Sequence, residues 1–433
     1  MKLRHRLLPL GLAALVVGGA KADLTFYYDF GSGVTNAGSG GNGTVGTINS
    51  GSLTNTSPAP AGSGGQYYTN SASGDASAGT GINTGITVNT VGIQGAGAYT
   101  AMAWVKFNTN AGDNMVFGNN GGNALHLGAR DAAYHFGHWG ADTTVGTIDT
   151  SAWHHVTWKF EPGVGQSILI DGYTIQNTPN NVGGLNNSGF NLIIGSSQNG
   201  GGLEGSLDDV AVFNTALNIA QVKAISSGAV LPNSASLNSI VVAAPTAVTI
   251  DPAQFTVQTA LSGTQLNNLN DALTALSGVV TTTTNVPAVN FWQSGGGGGT
   301  GNFAGDVAFP GVSEVGDIND FATRATTILN VAADGYYVFG INGDDGGRLR
   351  IDGSDVVVDN ALHGGEDRVG AVFLTAGQHP LEHIFFERGG GAESELFMLD
   401  ASGARTLLNT VVPEPSVIAL AGLSLFGLRR RRR

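Results

Sequence analysis

The chain has 433 residues, no cysteine, 19 basic against 32 acidic side chains and a formal charge of −13. It therefore has no disulfide or thiolate chemistry, and its acidity makes it a poor partner for nucleic acid or an anionic lipid surface. Only 12% of residues are charged and 68 are glycine, so the surface is mostly hydroxyl and amide with many turns, the composition of an all-β protein.

The N-terminus is basic (Lys2, Arg4, Arg6), then apolar from Leu7 to Ala20, and ends in Ala20-Lys21-Ala22. That order is a secretory signal peptide with a small-x-small cleavage site over residues 1–22, and the expected mature chain begins at Asp23. The next unit, residues 23–230, alternates short β-type runs with Gly/Asn turns. In Tyr99 to Phe107, Met102, Trp104 and Lys106 fall on one face and Ala101, Ala103, Val105 and Phe107 on the other, the pattern of a sandwich strand. Asp171-Gly172 reads as a two-residue hairpin turn. Asp208-Asp209 opens a strand and reads as structural. Residues 31–85, rich in Gly, Ser and Thr, predict long loops.

Five histidines fall in this unit: His126, His135, His138, His154 and His155. A zinc site needs three or four converging ligands. His135-Phe-Gly-His138 has a plausible spacing, but no acidic or Cys partner stands at a telling interval, and His154 and His155 point to opposite faces of a strand. The expectation is partly buried strand histidines. Exposed aromatics between Tyr134 and Trp139 are weighed as a platform for sugar rings.

Residues 231–285 read as a linker. Pro232 and Pro252 bracket an apolar stretch, and Leu261, Leu266, Leu269, Leu273 and Leu276 recur at roughly helical spacing, predicting a short amphipathic helix packed on a neighbouring sandwich. Residues 286–411 form a second β unit, with five glycines (Gly295 to Gly299) as a flexible loop near its start. Its densest signal is Asp334 to Gly353, which reads as strand, acidic Gly turn, strand and an Asp352-Gly353 hairpin turn. Asp344-Asp345-Gly346 has two readings. Adjacent carboxylates on a Gly-flanked loop suit Ca²⁺, which takes about six to eight oxygen ligands; alternatively, the aspartates cap backbone amides of a turn.

The chain ends in Val412-Pro413-Glu414-Pro415, an apolar run of 13 residues and five arginines, Arg429 to Arg433. A stable spanning helix needs about 20 residues, so this tail suits transient membrane contact. No G-x-S-x-G elbow, H-E-x-x-H, P-loop or Cys nucleophile occurs. Glu393 and Glu395 alternate but sit beside a Gly loop, and nothing locates the paired carboxyls of a glycosidase cleft. The expectation is a protein without catalytic activity.

Three resemblances rest on these motifs. The tail closely resembles the PEP-CTERM sorting signal of Gram-negative bacteria, which implies export, with recognition by an exosortase near Pro413-Glu414-Pro415. The first unit resembles the laminin-G-like, concanavalin A-like jelly-roll family through Ala103-Trp104-Val105-Lys106, Trp153-His154-His155-Val156, Ile168 to Gly172, Ile194-Gly195, Gly205 to Phe213 and a closing helix from Ala216 to Ile225. The second unit is similar to the protective-antigen-type (PA-14) β-sandwich through Gly335-Tyr336-Tyr337, Asp344-Asp345-Gly346, Arg348-Leu349, Ile351-Asp352-Gly353 and His363, and through Ala376-Gly377, His379 and the Gly389 to Ala392 loop. The flocculin-like branch of that family implies that Asp344 and Asp345 bind calcium and meet the sugar through a cis peptide. The branch takes further ligands from a later loop, usually with an Asn; here that loop is Gly389-Gly390-Gly391-Ala392-Glu393.

The expected fold is therefore two β-sandwiches, a concanavalin A-like jelly roll and a PA-14-like sandwich, between a signal peptide and a C-terminal sorting helix. The expected role is an exported protein that binds polysaccharide at the cell surface or in an extracellular matrix, with Asp344 and Asp345 as calcium candidates. The alternatives are an adhesion or matrix spacer without a specific ligand, and a polysaccharide-active enzyme carrying these units as accessories.

Overall fold

Alternating burial along the strands builds the molecule. The computed structural model describes residues 22–31, 33–35, 46–55, 65–71, 85–88, 93, 95, 97–119, 125–138, 140–179, 191–197, 201–293, 295–297 and 299–409. The signal peptide up to Lys21, the Pro413-Glu414-Pro415 motif with its expected helix, and Trp139 lie outside these residues. Among the described residues no helix is long and apolar enough to cross a membrane.

The first sandwich packs two antiparallel sheets. One holds Tyr99–Phe107 between Glu204–Phe213 and His154–Glu161, followed by Gly165–Ile170 and Tyr173–Pro179. The other runs Ala141–Val145, Ala133–His138, Leu125–Arg130, Asp113–Asn119, Leu192–Ile194, Ile86–Val88 and Gly46–Ile48. Trp158 fills the space between the sheets: its ring meets Phe117 edge-on at 5.9 Å, and its indole N–H donates to the His135 carbonyl at 2.9 Å. A buried indole keeps its donor satisfied in this way. Asp171 and Gly172 both have positive φ (50° and 87°), the conformation that a two-residue hairpin turn requires.

The second sandwich sets a six-stranded sheet (Thr282–Val286, Val248–Leu261, Phe321–Val331, Gly377–Glu387, Gly346–Ile351, Ser354–Asp359) against Asn290–Trp292, Glu393–Leu399, Gly335–Asp344 and Glu366–Leu374. Phe255, Phe309, Phe321, Phe385, Tyr337 and Leu349 form its core.

The linker expected over 231–285 is corrected. Most of it belongs to this sandwich: Val248–Leu261 and Thr282–Val286 are paired strands, with the helix Leu269–Ser277 between them. Pro252, which suggested a break, sits where the register shifts between Asp251 and Thr256, a bulge where a missing N–H is tolerated. Leu261 ends a strand and Leu266 lies ahead of the helix. Leu269, Ala272 and Leu276 bury the helix's inner side against Ala322, Ile384 and Phe386, as amphipathic spacing requires. Asn268 caps it by accepting from the amides of Asn270 and Asp271.

The two sandwiches share a seam. Tyr173 pairs with Gly370, so the front sheets of both units join in one thirteen-stranded sheet. A Cβ on Gly370 would stand 1.9 Å from the Val356 carbonyl and 3.2 Å from Tyr173 Cβ, so only glycine permits the approach. Beside it, Thr174 Oγ1 accepts from the Val369 amide (2.8 Å) and donates to its carbonyl (3.1 Å). Ala220, Val242, Val338 and Ala371 pack behind the seam. Thr174→Val keeps the shape and strips both bonds from a buried backbone; it is expected to lower stability by about 1–2 kcal/mol, read as the midpoint shift in urea unfolding.

Candidate functional site

At one end of the second sandwich the chain crosses from one sheet to the other. The crossing is the Asp344-Asp345 peptide, which is cis, between Gly335–Asp344 and Gly346–Ile351. Tyr337, Phe339 and Ile341 form the inward row of the first strand, and with period-two alternation that row continues through Gly343 to Asp345. Leu381 and Phe385 form the inward row of Gly377–Glu387, which continues to Glu387. Gly346 is required at the crossing: a Cβ there would stand 2.6 Å from the Asp359 carbonyl and 2.8 Å from that of Ala361.

Asp345 and Glu387 end these inward rows, and Asp344 joins them at the mouth of the sandwich. Asp344, Asp345 and Glu387 each place an oxygen within 4.8 Å of the others. Asp345 is fixed, accepting from the His363 amide (3.0 Å) and the Arg388 amide (2.9 Å). His363 is itself held at both ring nitrogens, to Asp359 Oδ2 and the Gly364 carbonyl, each at 2.8 Å. Two acceptors on one ring suit the imidazolium; burial opposes that charge, but the bonds to Asp359 and Gly364 prevail and raise its pKa. Glu387 is fully buried, and its oxygens make no well-formed hydrogen bond, the Gly389 backbone offering only a poorly aligned one. Burial, reinforced by the charges of Asp345 and Asp344 and eased only slightly by the Gly389 backbone, pushes its pKa up to about 9. Asp344, half-buried, is raised to about 6 by burial and by Asp345. Asp345 is raised by burial, with the two amides pulling the other way.

A second acidic tier braces the site. Asp344 pairs with Glu393 across the strands. Glu395 accepts from the amides of Asn302 (2.8 Å) and Phe303 (2.9 Å), and Asp367 accepts from the side chains of Asn302 and Asn342, both at 2.7 Å. The glycine run expected to be flexible is pinned at its start, where Cβ atoms on Gly295 and Gly296 would lie 1.9 Å from the Gly316 carbonyl and 2.1 Å from the Gly390 carbonyl, while Gly297 has open space around it.

The structure thus brings Asp344 and Asp345 together and adds Glu387, which the sequence reading passed over. Its signal was an acid at the end of the inward row of an apolar strand. Glu393 and Glu395 are both buried, with Glu395 spent on the Asn302 loop.

In the jelly roll, the aromatic platform is corrected. Tyr134 and Phe136 lie in the core, 5% and 0% exposed, because the segment is a strand whose inward row they form. His135 and His138, three apart on a strand, fall on opposite faces, so their spacing does not make a joint site. His138 meets Tyr99 Oη at 2.6 Å in the core. His154 is tied to Asp171 Oδ2 at 2.8 Å, and His155 is buried against Trp104. Asp209 accepts from Tyr27 Oη at 2.5 Å, in keeping with a structural role.

Comparisons with known proteins follow this division. Residues 79–223 match the concanavalin A-like lectin/glucanases superfamily, residues 301–404 the PA14 domain, and residues 411–433 the PEP-CTERM protein-sorting motif. The motif is one of exported proteins. No curated protein matches the chain. Among solved structures, the PA14 sugar-binding domain of an RTX adhesin is 20% identical, covering 36% of this chain and 96% of its own, with a TM-score of 0.29. Domain 4 of AbnA, a GH43 extracellular arabinanase of Geobacillus stearothermophilus solved with arabinotriose, is 17% identical over 48% of this chain and 99% of its own, with a TM-score of 0.37. The epithelial adhesin 6 A domain of Candida glabrata, solved with Galβ1-3GlcNAc, is 13% identical over 37% and 88%, with a TM-score of 0.28.

Proposed function

We propose that this exported chain is a non-catalytic carbohydrate-binding protein of the cell surface or an exopolysaccharide matrix, and that the Asp344-Asp345 mouth of the PA14 sandwich binds glycan with calcium. The observation that carries this reading is Glu387: a fully buried carboxyl without a well-formed hydrogen bond, facing two more carboxylates. Turn capping accounts for Asp345, whose oxygens both hold amides. It leaves Asp344 and Glu387 without a purpose, and burying unpaired acids side by side is costly.

An all-oxygen set of three carboxyls, which the ion would hold deprotonated, is what Ca²⁺ selects. Asp344, Asp345 and Glu387 would hold the ion, and the missing Asn of the later loop is offset by Glu387. Bound there, calcium supplies Lewis-acid positions that paired sugar hydroxyls can fill. The chain's own part is to orient Asp345 through the two amides and to keep the mouth anionic. The sorting tail fits removal by an exosortase near Pro413-Glu414-Pro415.

The test is calcium titration calorimetry together with glycan-array retention on the mature chain, with and without chelator. Calcium-dependent retention is expected, lost in Asp344→Ala. Unchanged calcium affinity and unchanged retention in that variant would leave the spacer reading in its place.

A further inference from the structure

The outer face of the jelly roll's seven-stranded sheet carries another convergence of donors, made by three adjacent strands. The register sets His126 opposite Gly137 and Gly137 opposite Asp142. A Cβ on Gly137 would stand 2.2 Å from His126 Nε2, so the imidazole lies across the place a side chain would fill. From there it reaches Asp142 Oδ2 at 3.2 Å. Two residues back along the middle strand, His135 rises on the same face, with its ring 5.0 Å from that of His126. One donor atom from each of His126, His135 and Asp142 lies within 4.8 Å of the other two.

His135 is the independent pointer to a ligand. It is 1% exposed, and neither ring nitrogen has a hydrogen-bond partner. An imidazole carries one donor and one acceptor that burial obliges it to pair. A side chain with neither met, aimed at a second imidazole and a carboxylate, calls for an explanation. Arg130 lies 3.5 Å from Asp142 Oδ2, but its charge is matched by a two-pronged bond to Asp113 at 2.7 and 2.9 Å.

We infer that His126, His135 and Asp142 form a binding site for a divalent transition-metal ion of the zinc class, separate from the acidic mouth of the second sandwich. Two imidazoles and one carboxylate suit such an ion and not calcium, which prefers oxygen alone. Three protein ligands leave a coordination position for water or a further donor.

The experiment titrates Zn²⁺ into the mature chain by calorimetry and follows thermal unfolding with and without the ion. The wild-type chain is expected to bind one equivalent and to melt higher with zinc. His135→Gln and Asp142→Asn should each weaken binding by at least about tenfold, as loss of even an outer-shell partner does, and should remove the zinc-dependent rise. The Asp344→Asn variant should bind zinc as the wild type does. If zinc binds the wild type no more tightly than Asp142→Asn, or if Asp344→Asn abolishes the binding, the site is overturned. Asp142 is 37% exposed at its side chain, so its amide variant decides the question even where His135→Gln does not fold.

Discussion

Asp344→Asn is expected to stabilise the calcium-free chain by about 1 kcal/mol, while Asp345→Ala costs about 3 kcal/mol. The two neighbours differ because their environments do. Asp345 ties together three segments, accepting from the His363 and Arg388 amides, and its loss orphans two backbone donors around a side chain that is 5% exposed. Asp344 is raised by burial and by the charge of Asp345, and an amide of the same shape relieves that repulsion. Calcium should reverse the order for Asp344: the wild type gains stability with added ion, whereas Asp344→Asn gains none. Urea unfolding with chelator and with excess calcium reads all of these. Should Asp344→Asn be destabilised without calcium, the unpaired-charge account of the mouth is wrong.

The calcium-free chain should also lose stability as pH rises from about 7 to about 9, by up to roughly 1.4 kcal/mol per pH unit. Glu387 is the cause. Its folded pKa is raised from 4.5 to about 9, so the folded state keeps a proton that the unfolded state has already released. The stabilisation is full below the unfolded value and is lost as pH climbs through the folded one. The buried histidines work in the opposite direction. His135, His138, His155 and His383 are lowered to about 4, and their contribution is lost as pH falls from about 6.5 toward 4. Above pH 7 the loss at Glu387 adds to that of His154, His363 and His379, whose raised values also make stability fall as pH rises. Glu387→Gln should flatten the slope there, and its difference from wild type isolates the residue. Calcium must displace that proton, so wild-type calcium affinity should rise with pH over the same interval. Parallel stability profiles for wild type and Glu387→Gln would refute this.

Local signals carried much of the fold. Alternation in Tyr99 to Phe107 and the Asp-Gly turns are short-range physics, and both elements form where the pattern puts them. Asp344-Asp345-Gly346 was legible because glycine and paired acids at a strand junction are unusual. Glu387 was not: its meaning comes from facing Asp344 across the sandwich, 43 residues away from the Asp344 junction in sequence, and nothing nearby records that. Val248–Leu261 was hidden by Pro252 because a bulge that absorbs a proline is set by the partner strand. The His126, His135 and Asp142 convergence escaped for the same reason, since the register of three strands and the bare Gly137 between them bring the donors together.

The seam at Tyr173 and Gly370 bears on how a long polymer would be held. Two domains on a free tether lose their relative orientational entropy each time both engage one chain, and that loss is taken from affinity. With a shared sheet and the Thr174–Val369 bonds, the relative orientation is already set in folding. A glycan spanning both sandwiches would meet surfaces at fixed spacing and angle, so the molecule would favour polymers whose repeat matches that spacing. Short fragments would gain nothing from the second domain.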